Sequence, residues 1–301
     1  MKILITGSHG FIGSALKQLI EENGIEVVTY DIKENPLDDV RELSALKTKI
    51  IGVDGIIHLA AVSRVKLAHE NPLECIYTNI GGTINVLEAA RSLLSEDKHP
   101  WVIFGSSREV YGEPVSLPVV ETSIRKAINV YGVSKLSGEE LCKTYAENYG
   151  LKTRVLRFSN IYTGINDHLD RVIPKFILRA YNGDDLTING SGEELFDFTY
   201  ITDTIQGIWG CIQEVERNIH LFDDYNLSTG VPVSLKKLAE IIIRKTRSSS
   251  KVVYANSRTY DVNKFYANPG KAVKILGFSP KITIEEGIDL ALEELKNLDT
   301  K

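Results

Sequence analysis

Ile3-Leu4-Ile5-Thr6-Gly7-Ser8-His9-Gly10-Phe11-Ile12-Gly13 takes a short apolar run straight into glycines spaced G-x-x-G-x-x-G. Beyond the turn, Phe11, Ala15, Leu19 and Ile20 recur at helical spacing, which predicts a helix over Phe11 to Glu22. Glycines between a strand and a helix allow tight backbone geometry and let a pyrophosphate approach. The helix start that follows, at Phe11 and Ile12, offers unpaired N–H groups and a partial positive charge. A plain tight turn has the same composition, so the context decides. Val27 to Tyr30 reads as a second strand, and Asp31 closes it, 18 residues after Gly13. A carboxylate there accepts hydrogen bonds from ribose hydroxyls and repels a 2′-phosphate, which selects NAD over NADP. The alternative for Asp31 is a surface turn residue.

The same rhythm continues outward. Asp54 to Ala60 carries a third strand, Trp101 to Phe104 a fourth and Thr153 to Phe158 a fifth, with helices over Thr83 to Leu94 and Tyr131 to Tyr149. Strands alternating with helices imply an α/β fold, a Rossmann-like, doubly wound parallel sheet. After Gly164 the pattern loosens into turns at Asn182-Gly183-Asp184-Asp185 and Asn189-Gly190-Ser191-Gly192, with helices over Ser234 to Lys245 and Ile284 to Leu298. The expected division is an NAD-binding domain over 1–163, to which part of 203–230 returns. A smaller α+β substrate lobe takes 164–202 and 231–301. A chain of 301 residues suits one large domain or two lobes with separate cores.

Composition narrows the partners. A net charge of −5 argues against nucleic acid, which needs a basic face. No run reaches the ~18 apolar residues of a membrane span, and Met1 to Gly7 is too short in its apolar part for a signal peptide. Cys75, Cys142 and Cys211 are odd in number and far apart, as in a reduced, cytoplasmic protein. The six histidines form no ligand cluster, so no metal is expected.

Tyr131-Gly132-Val133-Ser134-Lys135 is a Y-x-x-x-K motif near a helix start, and residues four apart share one helix face. Tyrosine titrates near ~10, and a base working at neutrality requires it to fall to roughly 7. A neighbouring Lys⁺ and the positive ring of NAD⁺ favour the phenolate, so Tyr131 is a candidate general base. Surface Tyr and Lys residues give the same spacing by chance. Ser106-Ser107-Arg108-Glu109-Val110-Tyr111-Gly112 follows the fourth strand, at the carboxyl edge where such sheets bind ligands. Ser107 there can bond the reacting oxygen, or serve as a turn hydroxyl.

Together these motifs, in this order over nearly the whole chain, resemble the extended short-chain dehydrogenase/reductase family in its nucleotide-sugar epimerase/dehydratase branch. The resemblance assigns Gly7, Gly10, Gly13 and Asp31 to NAD. It gives Asp39-Val40 to the adenine, and places His58-Leu59-Ala60-Ala61 at a strand end that lines the cofactor. Thr78-Asn79-Ile80-Gly81-Gly82-Thr83 resembles an N-x-x-G-T helix start, and Ser107, Tyr131 and Lys135 fall on the catalytic triad. In the second half it implies substrate contacts by Asn160 and Val172, and pairing of Arg258 with a diphosphate, a role for a planar, always charged group. Phe196 stands where the R-D-F-x-Y-V stretch has arginine, and the turn after Asn160 is Tyr162-Thr163-Gly164-Ile165. Arg64 is a candidate replacement for the missing charge; an exposed arginine is the alternative.

The resemblance implies a nucleotide-diphosphate sugar as substrate and a homodimer. The leading expectation is 4-epimerisation through a transient 4-keto sugar. Glu109 keeps a dehydratase or decarboxylase open, as base or as a turn residue, although Arg108 replaces half of the acidic pair that dehydratases carry. A 4-keto-sugar reductase and a regulatory NAD-binding protein are further alternatives.

Overall fold

The computed structural model describes residues 1–94, 99–164 and 167–296. Its strands follow the chain as β1 (Lys2–Thr6), β2 (Glu26–Tyr30), β3 (Gly55–His58), β4 (Trp101–Ser107), β5 (Lys152–Phe158), β6 (Asn160–Tyr162), β7 (Leu186–Asn189), β8 (Leu195–Tyr200), β9 (Phe222–Leu227), β10 (Pro232–Ser234), β11 (Val252–Ala255) and β12 (Lys264–Phe265). The last helix is described over Ile284–Lys296. Residues 297–298 of the expected helix, and Ile165 of the expected turn, lie outside the described residues.

One parallel sheet carries the order β2-β1-β3-β4-β5-β9. In it Leu4 of β1 stands opposite Val28 on one side and Ile56 on the other. Successive side chains leave opposite faces of a strand. Ile3 and Ile5 accordingly enter one core with Leu16, Ile20, Ile208 and Ile212, and Leu4 enters another with Val86, Leu87, Ala90 and Cys142. Helices cover both faces, which is why these strands read as continuous apolar runs. The chain moves outward from β1 to β2 and then back across to β3. The carboxyl ends of β1 and β3 therefore border the switch point where such sheets form a crevice.

After β5 the chain leaves the sheet. Strand β6 pairs with β8 in parallel, setting Asn160 opposite Phe198, and β8 is flanked by β10 and β12. The Ile201–Arg217 helix and β9 then return, with Tyr225 opposite Leu156 of β5. The cores of sheet and lobe are continuous: the cluster that holds Ile3 and Ile5 runs on to Phe176, Leu238 and Ile242. Cys75, Cys142 and Cys211 are buried, unpaired thiols. Among the described residues no helix is long and apolar enough to cross a membrane, and no His/Cys/Asp/Glu group could hold a metal.

Candidate active site

A cleft of about 600 Å³ lies over the carboxyl ends of β1, β3, β4 and β5. Its floor at the β1 end is backbone. Gly7 has φ +73°, and a Cβ there would stand 2.8 Å from the Ala60 nitrogen; one at Gly13 would stand 2.1 Å from the Gly7 oxygen. Glycine is the residue that lets the turn, the helix start and the end of β3 pack this closely. Asp31 is buried, and its carboxylate accepts from the backbone N–H of His9 (2.8 Å) and Lys33 (2.9 Å), so it ties the turn to β2. Thr6 Oγ1 accepts from the Leu59 and Ala60 nitrogens, both at 3.2 Å. His58 spans Thr6 Oγ1 (2.7 Å) and Thr83 Oγ1 (3.0 Å); burial, then the Lys135 charge, pull its pKa down to about 3. His58 is thus a neutral strut behind the wall.

Strand β4 and the Val130–Tyr149 helix bring the next group together. Asn129 caps the helix: its Oδ1 accepts from Gly132 N–H (2.8 Å), and its Nδ2 donates to Glu109 Oε2 (2.8 Å). One residue therefore sets both the helix start and the Glu109 carboxylate. The other Glu109 oxygen pairs with Arg108 at 2.8 Å. Tyr131 is 8% exposed, packs with Ala68 and Cys75, and lines the cleft with Ser107, whose hydroxyl accepts from the Glu109 N–H (3.2 Å). Burial raises its pKa to about 12; the nearby Ser107 hydroxyl lowers it, the Glu109 charge raises it and the Arg171 charge lowers it. The fall to near 7 is therefore not supplied by the protein groups around the phenol, because burial outweighs them. Lys135 donates to the Gly105 oxygen (2.7 Å), lies 4.9 Å from the Phe104 ring centroid, and is pulled down to about 8 by burial.

Across the cleft, Asn160 Oδ1 accepts from Arg108 Nε (3.1 Å), and Asn160 Nδ2 donates to the Asp197 oxygen (3.1 Å). Val172 opens the Val172–Tyr181 helix on the same wall. Arg258 is exposed and paired with Asp261 at 2.8 Å. Arg64, the candidate replacement cation, is held by both Asp170 oxygens at 2.6 Å. Asp39 is paired with Arg41, whose hydrogen bond holds it below its usual range, and Val40 packs against Gly82.

One cleft thus collects Gly7, Gly10, Phe11, Ile12, Gly13, Asp31, Asp39, Val40, Leu59, Ala60, Ala61, Ser106, Ser107, Glu109, Tyr131, Lys135, Asn160, Val172 and Arg258. The turn's bare floor beside a carboxylate fits an adenine dinucleotide. Asn79 is the exception. It sits behind the wall, where Oδ1 accepts from Val62 N–H (2.8 Å) and Nδ2 donates to the Val62 oxygen (3.2 Å) and Ser134 (2.8 Å). Its polar atoms are spent on shaping that loop. Ser106 lines the cleft, but its hydroxyl turns away to Glu139. Sequence reading missed Asn129, whose signal is an N-cap residue ahead of the helix. It also missed Arg171, which lines the cleft and pairs with Asp167 at 3.2 Å.

The model of a family described as NAD dependent epimerase/dehydratase matches residues 3–228. A dTDP-glucose 4,6-dehydratase of Salmonella typhimurium is 32% identical, covering 97% of this chain and 92% of its own. A UDP-glucuronate 4-epimerase of Thermodesulfobacterium geofontis is 28% identical over 95% and 93%. The crystal structure of UDP-glucuronic acid 4-epimerase from Bacillus cereus, in complex with UDP-glucuronic acid and NAD, superposes with a TM-score of 0.90. It is 26% identical and covers 99% of this chain and 100% of its own.

Proposed function

The chain belongs to the NAD dependent epimerase/dehydratase family, and on that premise we propose that it inverts C4 of a nucleotide-diphosphate sugar through a transient 4-keto sugar. The observation that carries this reading is that Ser107, Tyr131 and Lys135 line the same cleft as the glycine turn and Asp31. In it, residues 1–163 and part of 203–230 hold NAD, while 164–202 and 231–301 hold the substrate.

NAD, when bound, supplies a hydride acceptor and a positive ring. Tyr131 takes the proton of the C4 hydroxyl, Ser107 holds that oxygen, and Lys135 keeps a cation one helical turn away. Asn160, Val172 and Arg258 hold the nucleotide-diphosphate side. Glu109 favours the second reading, a dehydratase or decarboxylase, because it is buried and its charge acts on Tyr131. Against that, both of its oxygens are engaged, by Arg108 and Asn129, and position 108 holds a cation. Exposed Ile84, Val133 and Tyr149 on the Gly82–Leu94 and Val130–Tyr149 helices support a homodimer packed through these helices, and three buried reduced thiols support a cytoplasmic location.

Incubation with a panel of nucleotide sugars, with products read by mass and NMR, tests the reaction. A product of unchanged mass with inverted C4 is expected. Loss of water or carbon dioxide would replace this reading by the second.

Asp31→Ala is expected to weaken NAD by about 10–100-fold, the scale of hydrogen bonds to a charged group. NADP should suffer less, because the repulsion of its 2′-phosphate goes with the carboxylate. Titration of both dinucleotides checks it; an unchanged NAD-to-NADP ratio removes Asp31 from the ribose site.

A further inference from the structure

Arg108 lines the cleft between Ser107 and Asn160, yet the epimerisation just described gives it no task. Its surroundings fix the plane of the guanidinium on every other side. The Phe196 ring centroid lies 4.9 Å from its central carbon and that of Phe265 5.7 Å away. Its Nε donates to Asn160 Oδ1 (3.1 Å), and its Nη2 pairs with Glu109 Oε1 (2.8 Å). The remaining nitrogen, Nη1, is buried and has no hydrogen-bond partner within the protein. The side chain is 13% exposed, so bulk water does little for that donor. A buried charged donor left unmatched is unfavourable, and a fork held in place by rings and hydrogen bonds loses little freedom on taking one more acceptor.

We propose that Arg108 is a specificity-determining residue whose Nη1 edge takes an anionic oxygen of the bound nucleotide sugar; this rests on the substrate class proposed above. Two sources offer that chemistry, a carboxylate on the sugar and the diphosphate. Ser107 and Tyr131 place the sugar on one side of Arg108, and Asn160 places the diphosphate on the other.

The test compares wild type, Arg108→Met and Arg108→Lys with UDP-glucuronate and UDP-glucose as substrates, and with UDP alone as a binding probe. In Arg108→Met, KM for the acidic sugar should rise by about 10-fold or more, while kcat falls less. Arg108→Lys, which keeps the charge and loses the fork, should recover part of the affinity. A rise confined to UDP-glucuronate, with UDP affinity unchanged, assigns the sugar carboxylate. Equal losses for both sugars and for UDP assign the diphosphate. Unmoved KM values in an active Arg108→Met enzyme overturn the proposal, as does a fall in kcat alone that tracks a lowered melting temperature. A wild-type enzyme that turns over no nucleotide sugar removes the substrate reading itself, and this inference with it.

Discussion

Tyr131→Phe is expected to lower kcat by about 10²–10⁴-fold, the range for loss of a positioned acid–base group, while NAD remains bound. The ring packs with Ala68 and Cys75 and is 8% exposed, so phenylalanine keeps the packing and deletes one oxygen. What goes with the oxygen is the proton acceptor this reading places at the C4 hydroxyl. The sign of the pH dependence follows from the same geometry. Burial holds the phenol up at about 12, so near neutrality the basic form is the minor one and grows as pH rises. Wild-type turnover should therefore climb with pH from neutral to about 8, where Lys135 begins to lose the charge that favours the phenolate, and the residual rate of Tyr131→Phe should lack that climb. Steady-state rates across pH decide it: a phenylalanine variant that keeps the wild-type rise has its base elsewhere.

The part of the fold that sequence made legible is the part whose signal is local. Strand β1, its glycine turn and the helix behind it fall within 22 residues, and their apolar runs reflect burial on both faces. The second lobe was legible as two helices and a series of turns, because its strands pair across long separations. Asn160 meets Phe198, and Phe196 meets both Val233 and Phe265. Strands of two to six residues chosen by such distant partners carry little periodicity of their own. Within the site, residue identity was legible and direction was not. Asn79 carries an amide fit for a cofactor, but the Val62 loop and Ser134 consume it. Phe196 read as a missing cation, whereas the fold sets the Arg108 guanidinium over that same ring from another strand end. Tyr131 beside Lys135 suggested a lowered phenol, and burial moves it the other way.

Arg157→Met is expected to lower stability by about 3–5 kcal/mol, the scale for breaking a buried ion pair from one side. Arg157 is 1% exposed at its side chain and Glu139 is 0% exposed. They meet through Arg157 Nε (2.9 Å) and Nη2 (2.8 Å), and Nη2 also reaches Asp224 at 2.6 Å. Methionine fills much of the volume and leaves the Glu139 carboxylate in a low-dielectric interior with Arg125 as its remaining cation. The loss is a penalty of desolvated charge, and that has a consequence which loss of packing does not share. Removing the second charge as well, in Arg157→Met with Glu139→Met, should restore a large part of the stability, since a buried pair replaced by apolar groups of similar size is often neutral. The remaining partners can bear it: Arg125 is 28% exposed and pairs with Glu140 at 2.8 Å, and Asp224 keeps Lys271 at 3.1 Å. Denaturant unfolding of both single variants and of the double variant at fixed NAD occupancy measures the difference. A double variant as unstable as the sum of its single substitutions would mean that Arg157 acts through shape alone. Because Glu139 also holds the Ser106 hydroxyl at the end of β4, the double variant should recover stability without recovering full activity, which separates what this cluster does for the fold from what it does for the cleft.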